Sequence, residues 1–238
     1  MLGREDWSGG GSQVMAAPRA DSGTVGWWDF DEANGSSALD KSSMSNTLTM
    51  TAGATGVNDA AVDMWDLATR KYGKSGIEFD GDDYLTRADD PDFDFTATED
   101  FSVTGWFKHN TIAVEQHIIN KYSSSAAGGW KVWMDSDGDI GFGIDNDTTW
   151  SPTDQALTTS KNYDDNAWHQ FIGVKTGTSR LDLYVDGVLV ASDTSITASA
   201  TLANAAALYI GVNSDGTSND WDDSYLDSIK IYRSALSA

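Results

Sequence analysis

The chain has 238 residues, 39% of them hydrophobic, with 37 acids against 15 bases for a net charge of −22, and no cysteine. That length accommodates one large β domain, or two small ones, around a sizeable core. So acidic a field repels nucleic acid and anionic membranes, and a chain without cysteine has no disulfide scaffold, zinc ribbon, thiol catalysis or iron–sulfur cluster.

The acidity is lopsided, with 32 Asp and five Glu. Aspartate suits turns and hard-cation shells better than helix or strand interiors, so the bias predicts many loops and attraction for cations. A solvated surface adapted to salty conditions accounts for most of these residues and leaves a few for metal. No apolar run reaches transmembrane length, so no membrane insertion is expected. Met1-Leu-Gly-Arg-Glu-Asp6 has no apolar signal segment, which fits a mature form, an excised domain or another export route.

In chain order, residues 1–22 read as a flexible tail or linker, with Gly9-Gly-Gly11, Ala16-Ala-Pro18 and Asp21-Ser-Gly23 showing no periodicity. A single domain follows over residues 23–238. Only the stretch from Asp59 to Thr69 leaves room for a short helical turn. Strand patterns then recur: Phe101–Phe107, Trp130–Met134, Trp168–Val174, Leu181–Val185 and Leu208–Val212. Turn signals separate them at Asp80-Gly81, Asp137-Gly138, Asp186-Gly187 and Asp215-Gly216. Strands at roughly ten-residue spacing with three prolines predict an all-β antiparallel sandwich or jelly roll. The chain closes on Tyr225-Leu-Asp-Ser-Ile-Lys-Ile-Tyr232, where strict alternation would put Asp227 on the face of Tyr225, Ile229 and Ile231. An acid on an apolar face needs a cation or hydrogen-bond donors.

Several blocks in order resemble the laminin-G-like domains of the concanavalin A-like lectin/glucanase superfamily. Trp28-Asp-Phe-Asp-Glu32 with Gly35 and Asp40-Lys-Ser42 is similar to that family's opening pattern. Gly76-Ile-Glu-Phe-Asp-Gly81, Phe101–Trp106, Trp168-His169, Leu183-Tyr-Val-Asp-Gly187 and Leu226-Asp227…Ile231-Tyr232-Arg233 complete the order. The match runs over about residues 25–237. It departs from the family at Ser224, where a Gly is expected, and at the abrupt end after Ser237-Ala238, which fits a domain cut from a longer protein.

The resemblance admits glucanase chemistry, in which a retaining mechanism needs two carboxyls ~5 Å apart facing one cleft. The nearest string is Glu78-Phe-Asp80-Gly-Asp82 with no second Glu, and none of Glu5, Glu32, Glu78, Glu99 and Glu115 stands in a paired spacing. No enzyme activity is therefore expected. His109, His117 and His169 form no zinc motif and read as structural or surface residues, and no serine sits in a Gly-x-Ser-x-Gly elbow. Asp135-Ser-Asp-Gly-Asp139 looks like a calcium loop, but it lacks the following Gly and the distant Glu, so a hairpin turn is expected.

The resemblance places Asp31 and Asp40 on and after the first strand and Asp227 on the last, and such strands commonly lie side by side. Those three carboxylates with backbone carbonyls are the candidate calcium set; alternatively Asp40 caps a turn and Asp227 pairs with Arg233 or Lys41. For carbohydrate, aromatic rings beside polar loops are sought, and Trp65, Asp147, Trp150, Asp220 and Trp221 are the candidates, although each Trp can instead close the core. Trp28, Trp106 and Trp168 fall in strand blocks and read as structural. The expected function is a non-catalytic, calcium-assisted module of an extracellular or surface protein, recognising carbohydrate or glycoprotein. The alternatives are a structural or adhesive subunit of a filament, virion or cell envelope, contacting other subunits through the tail, and a glycan-active hydrolase.

Overall fold

The computed structural model describes residues 23–54, 60–110, 112–123, 128–147, 150, 154–198, 201–214, 216 and 221–237. The predicted tail over residues 1–22 lies outside them. The strands in chain order are β1 (Thr24–Trp28), β2 (Ser37–Ala38), β3 (Leu48–Thr51), β4 (Trp65–Asp66), β5 (Gly76–Phe79), β6 (Tyr84–Arg87), β7 (Phe101–His109) and β8 (Gln116–Ser123). They continue as β9 (Gly128–Met134), β10 (Ile140–Asp145), β11 (Asp154–Leu157), β12 (Trp168–Thr176), β13 (Arg180–Val185), β14 (Val188–Asp193), β15 (Leu208–Ile210) and β16 (Ser224–Tyr232).

Two antiparallel sheets form the sandwich. The first runs β14-β13-β12-β7-β16-β5-β4, with β1 also on β16; the second runs β11-β10-β9-β8-β15-β6-β3-β2. The turn chemistry places the hairpins. Asp186 and Gly187 both take positive φ (51° and 77°), as a two-residue turn matched to strand twist requires, and they join Val185 to its partner Val188. The Asp135–Asp139 segment is the β9–β10 turn: the Asp135 carboxylate accepts the N–H groups of Asp137 and Asp139 at 2.9 and 3.2 Å.

Between the sheets lies one aromatic core, with Trp28, Phe101, Trp130, Phe142 and Phe171 all fully buried. Phe95 and Phe101 stack at 4.2 Å. Gly173 lets the facing sheet approach, since a Cβ there would stand 2.6 Å from the Phe142 ring. Two lysines are also buried. Lys175 donates to three backbone carbonyls, Ala97 at 2.7 Å, Glu99 at 2.9 Å and Gly177 at 2.6 Å. Lys121 lies among Asp89, Asp94 and Asn204.

Two expectations are corrected here. Among the described residues 60–69 there is no helical turn: a hydrogen-bonded turn closes from Asp63 N–H to the Ala60 carbonyl (2.7 Å), and β4 follows. The helical turn in the described residues is the 3-10 segment Pro91–Phe93, begun by the Asp90 carboxylate accepting from Asp92 N–H and by proline at its first position. Alternation also fails in β16. A bulge between Asp227 and Lys230, with Ser228 at φ 53°, resets the register. Leu226, Ile229 and Ile231 therefore enter the core, and Asp227 stays on the outward side, where its cross-strand neighbour is Trp106.

Candidate ligand-binding face

On β9, Trp130, Val132 and Met134 point into the core, so Lys131 and Trp133 occupy the outward face of the second sheet. Register sets Asn120 opposite Lys131, Tyr122 opposite Gly129, and Gly141 opposite Trp133. Gly141 and Gly143 make the floor. A Cβ on either would meet the Trp133 ring at 2.4 or 3.1 Å, so the indole lies flat across β10.

Trp150 completes the cluster from the loop after β10. Its ring stands edge-on to Tyr122 at 5.0 Å and to Trp133 at 5.6 Å. The Lys131 ammonium is held between the Tyr122 and Trp150 rings, 4.5 and 4.4 Å from their centroids. A desolvated contact of this kind is worth about 2 kcal/mol. Glu115 lies near enough to Lys131 for the ammonium to hold its carboxyl below the usual range, after a larger effect from the His117 hydrogen bond.

Two polar atoms of this face have no hydrogen-bond partner among the described residues: the Tyr122 hydroxyl and the Asn120 side-chain carbonyl, on residues 2% and 0% exposed. The Asn120 amide donates to the Val212 carbonyl at 2.6 Å, which fixes its orientation. Burial, then the charges of Asp145 and Asp147, pushes the Tyr122 hydroxyl up to about 12. It therefore keeps its proton at neutral pH and can donate. Asp147 is exposed at the rim, its N–H bonded to the Asp145 carboxylate at 3.0 Å. The arrangement offers a donor, an acceptor, ring surface and rim carboxylates to one ligand.

The structure thus brings Asp147 and Trp150 together. Trp65 and Trp221 go elsewhere, into the core, and offer no ring face. Trp65 is 7% exposed, with its indole N–H on the Gly35 carbonyl at 2.8 Å; Trp221 is fully buried against His109 at 4.6 Å. Asp220 lies outside the described residues. Tyr122, Asn120, Lys131 and Trp133 were missed by sequence reasoning.

The candidate metal set is not gathered. Asp40 accepts four hydrogen bonds, from Trp27, Ser42 and Asn46 N–H and the Ser42 hydroxyl, which occupies both oxygens. Asp227 accepts from Lys71 and Tyr72 N–H at 2.8 and 2.9 Å and from the Ser228 hydroxyl, while Asp31 accepts from Lys74 and Ser75 N–H. Among the described residues one acidic trio, Asp80, Asp82 and Asp83, brings ligand oxygens within 4.8 Å of one another. Three carboxylates are suitable donors for a hard cation.

Fold and site define a jelly-roll sandwich with a polar–aromatic outer face. The Concanavalin A-like lectin/glucanases superfamily, in its laminin-G-like form, matches residues 79–238, and the chain belongs to it. No curated protein matches the chain. Similar solved structures include the binding domain of Paraclostridial Mosquitocidal Protein 1, at 14% identity and a TM-score of 0.69, covering 90% of this chain and 50% of that one. The binding domain of botulinum neurotoxin serotype G is similar at 12% identity and a TM-score of 0.64, covering 90% of this chain and 48% of that one. The receptor binding domain of the botulinum neurotoxin C/D mosaic serotype is similar at 14% and 0.65, covering 90% and 49%. The chain spans about half the length of each. No helix of the described residues is long and apolar enough to cross a membrane.

Proposed function

We propose that the chain is a non-catalytic binding module of a surface or extracellular protein, recognising carbohydrate, free or on a glycoprotein, at the face around Tyr122, Lys131, Trp133 and Trp150. The carrying observation is the pair of buried polar atoms on Asn120 and Tyr122, lacking protein partners among the described residues beside the partly exposed Trp150 ring. Sugar hydroxyls satisfy such atoms and apolar sugar faces stack on such rings. The titles of the similar structures, which are binding and receptor binding domains, support the reading. So does the state of the glutamates: Glu32 pairs with Lys41, Glu99 with Arg233 and Glu115 with His117, while Glu78 accepts from the Tyr225 hydroxyl.

On a glycan array the protein is expected to bind a defined set of sugars and to release no reducing ends from them. Trp150→Ala should weaken that binding on the order of tenfold or more. An array on which wild type and Trp150→Ala behave alike would remove this face from the reading.

Calcium belongs to the proposal at Asp80, Asp82 and Asp83. Free calcium at a hundredfold excess over Kd should add ~2.7 kcal/mol of stability, and Asp82→Asn should blunt the gain. A melting temperature indifferent to chelator and to added calcium would retire the metal.

A further inference from the structure

The first sheet carries a different surface on its outward side. On β7, Phe101, Val103 and Phe107 enter the core, so Trp106 and Lys108 face out. The loop from Arg70 to Lys74 is laid across them because Asp227 and Asp31 accept its N–H groups. It sets the Lys71 ammonium 4.0 Å from the Trp106 ring and Tyr72, itself 49% exposed, edge-on to the same ring at 5.6 Å. Next to it, the Lys108 ammonium stands 5.3 Å from the Tyr225 ring.

This surface inverts the charge pattern of the chain. Among the described residues, ion pairs engage Lys41, Arg87, Lys121, Arg180 and Arg233, whereas Lys71, Lys74 and Lys108 make none. The acids close by are instead occupied by internal donors. Asp227 and Asp31 hold the loop, Glu78 accepts from the Tyr225 hydroxyl at 2.9 Å, and Asp66 accepts from Ala68 N–H at 2.6 Å. Ammonium groups are thus left facing outward, steadied by aromatic rings rather than by carboxylates.

We infer that this face is a second docking surface, whose occupant is a glycan ending in a carboxylated sugar. Trp106 and Tyr72 offer ring faces to the sugar, and Lys71 and Lys108 are placed for its carboxylate. A net charge of −22 opposes any long polyanion, nucleic acid or anionic bilayer at range, so one terminal carboxylate fits better than a charged polymer. The inference goes beyond the reading above and rests on residues of the opposite sheet.

The test uses immobilised glycan pairs that differ only in a terminal acidic sugar. Wild type should favour the acid-capped member on the order of tenfold, a preference that shrinks with added salt. Lys71→Gln/Lys108→Gln should erase the preference while leaving uncapped glycans bound as before, because the Lys71 N–H still reaches Asp227. Trp150→Ala should do the reverse, which separates failure of this surface from failure of the other. If the double variant melts lower than wild type, Lys74→Gln, an exposed change in the same loop, replaces it and should reduce the preference. Equal binding of capped and uncapped glycans, a preference that survives the substitutions, or equal capture on dextran sulfate would each overturn the assignment.

Discussion

Lys121→Met is expected to be the most damaging single substitution, lowering stability by roughly 3 kcal/mol. The Lys121 side chain is fully buried, with its ammonium 2.8 Å from Asp89, 3.2 Å from Asp94, 2.5 Å from the Asn204 carbonyl and 3.4 Å from the Asn204 side-chain oxygen. Methionine fills a similar volume and so tests the charge rather than the packing. It leaves the Asn204 carbonyl and two acids without their cation. Because Asp89 and Asp94 keep 42% and 25% side-chain exposure, water relieves part of the loss, which places the cost at the lower end for a broken buried pair. Urea unfolding should show a lower midpoint with an unchanged slope. A loss under about 1 kcal/mol would mean that the cage resolvates freely.

Asp227→Asn is expected to act in the opposite direction, stabilising the protein at pH 7 by up to roughly 3 kcal/mol. Burial, opposed by the Tyr72 and Lys71 N–H bonds and the Ser228 hydroxyl and assisted by the Asp31 charge, raises the Asp227 carboxyl from 3.8 to about 6. The folded state therefore holds this proton more tightly than the unfolded chain does. The resulting stability is fully present below pH 3.8 and is lost as pH rises through about 6. Asparagine still presents an oxygen to the two loop N–H groups but has no charge to desolvate. The gap between variant and wild type should thus be widest at neutral pH and close on acidification towards pH 4, followed by denaturant melts across that window. A variant less stable than wild type at pH 7 would show that the loop needs the carboxylate charge itself.

Strands, hairpins and the neighbouring first and last strands were legible because their signals are local or belong to the family pattern. Asp186-Gly187 and Asp137-Gly138 are such signals, and both sit at hairpin tips. The bulge at Ser228 was not legible, since bulges of this kind are usually marked by glycine and here a serine takes positive φ. That one residue decides which side Asp227 occupies. Trp106 and Trp168 show the same limit: a strand block says that a tryptophan faces one side, not which side, and both prove partly exposed. The second-sheet face had one readable clue. Gly141-Phe-Gly143 alternates a core phenylalanine with two outward glycines, which is room for a ring lying across the strand, and Trp133 supplies it. Lys131 and Trp133 themselves are indistinguishable from an ordinary strand until that register is known.

The three carbonyls around Lys175 are the kind of oxygen cage that elsewhere collects a diffusible ion. Here the occupant is part of the polypeptide and arrives when the chain folds. It cannot be diluted away, chelated or exchanged for another species, so this cage contributes the same free energy whatever electrolyte surrounds the protein. Sensitivity to the medium is then confined to groups outside such cages, and a calcium response at Asp80, Asp82 and Asp83 would report on the rim of the sandwich while its core stayed indifferent.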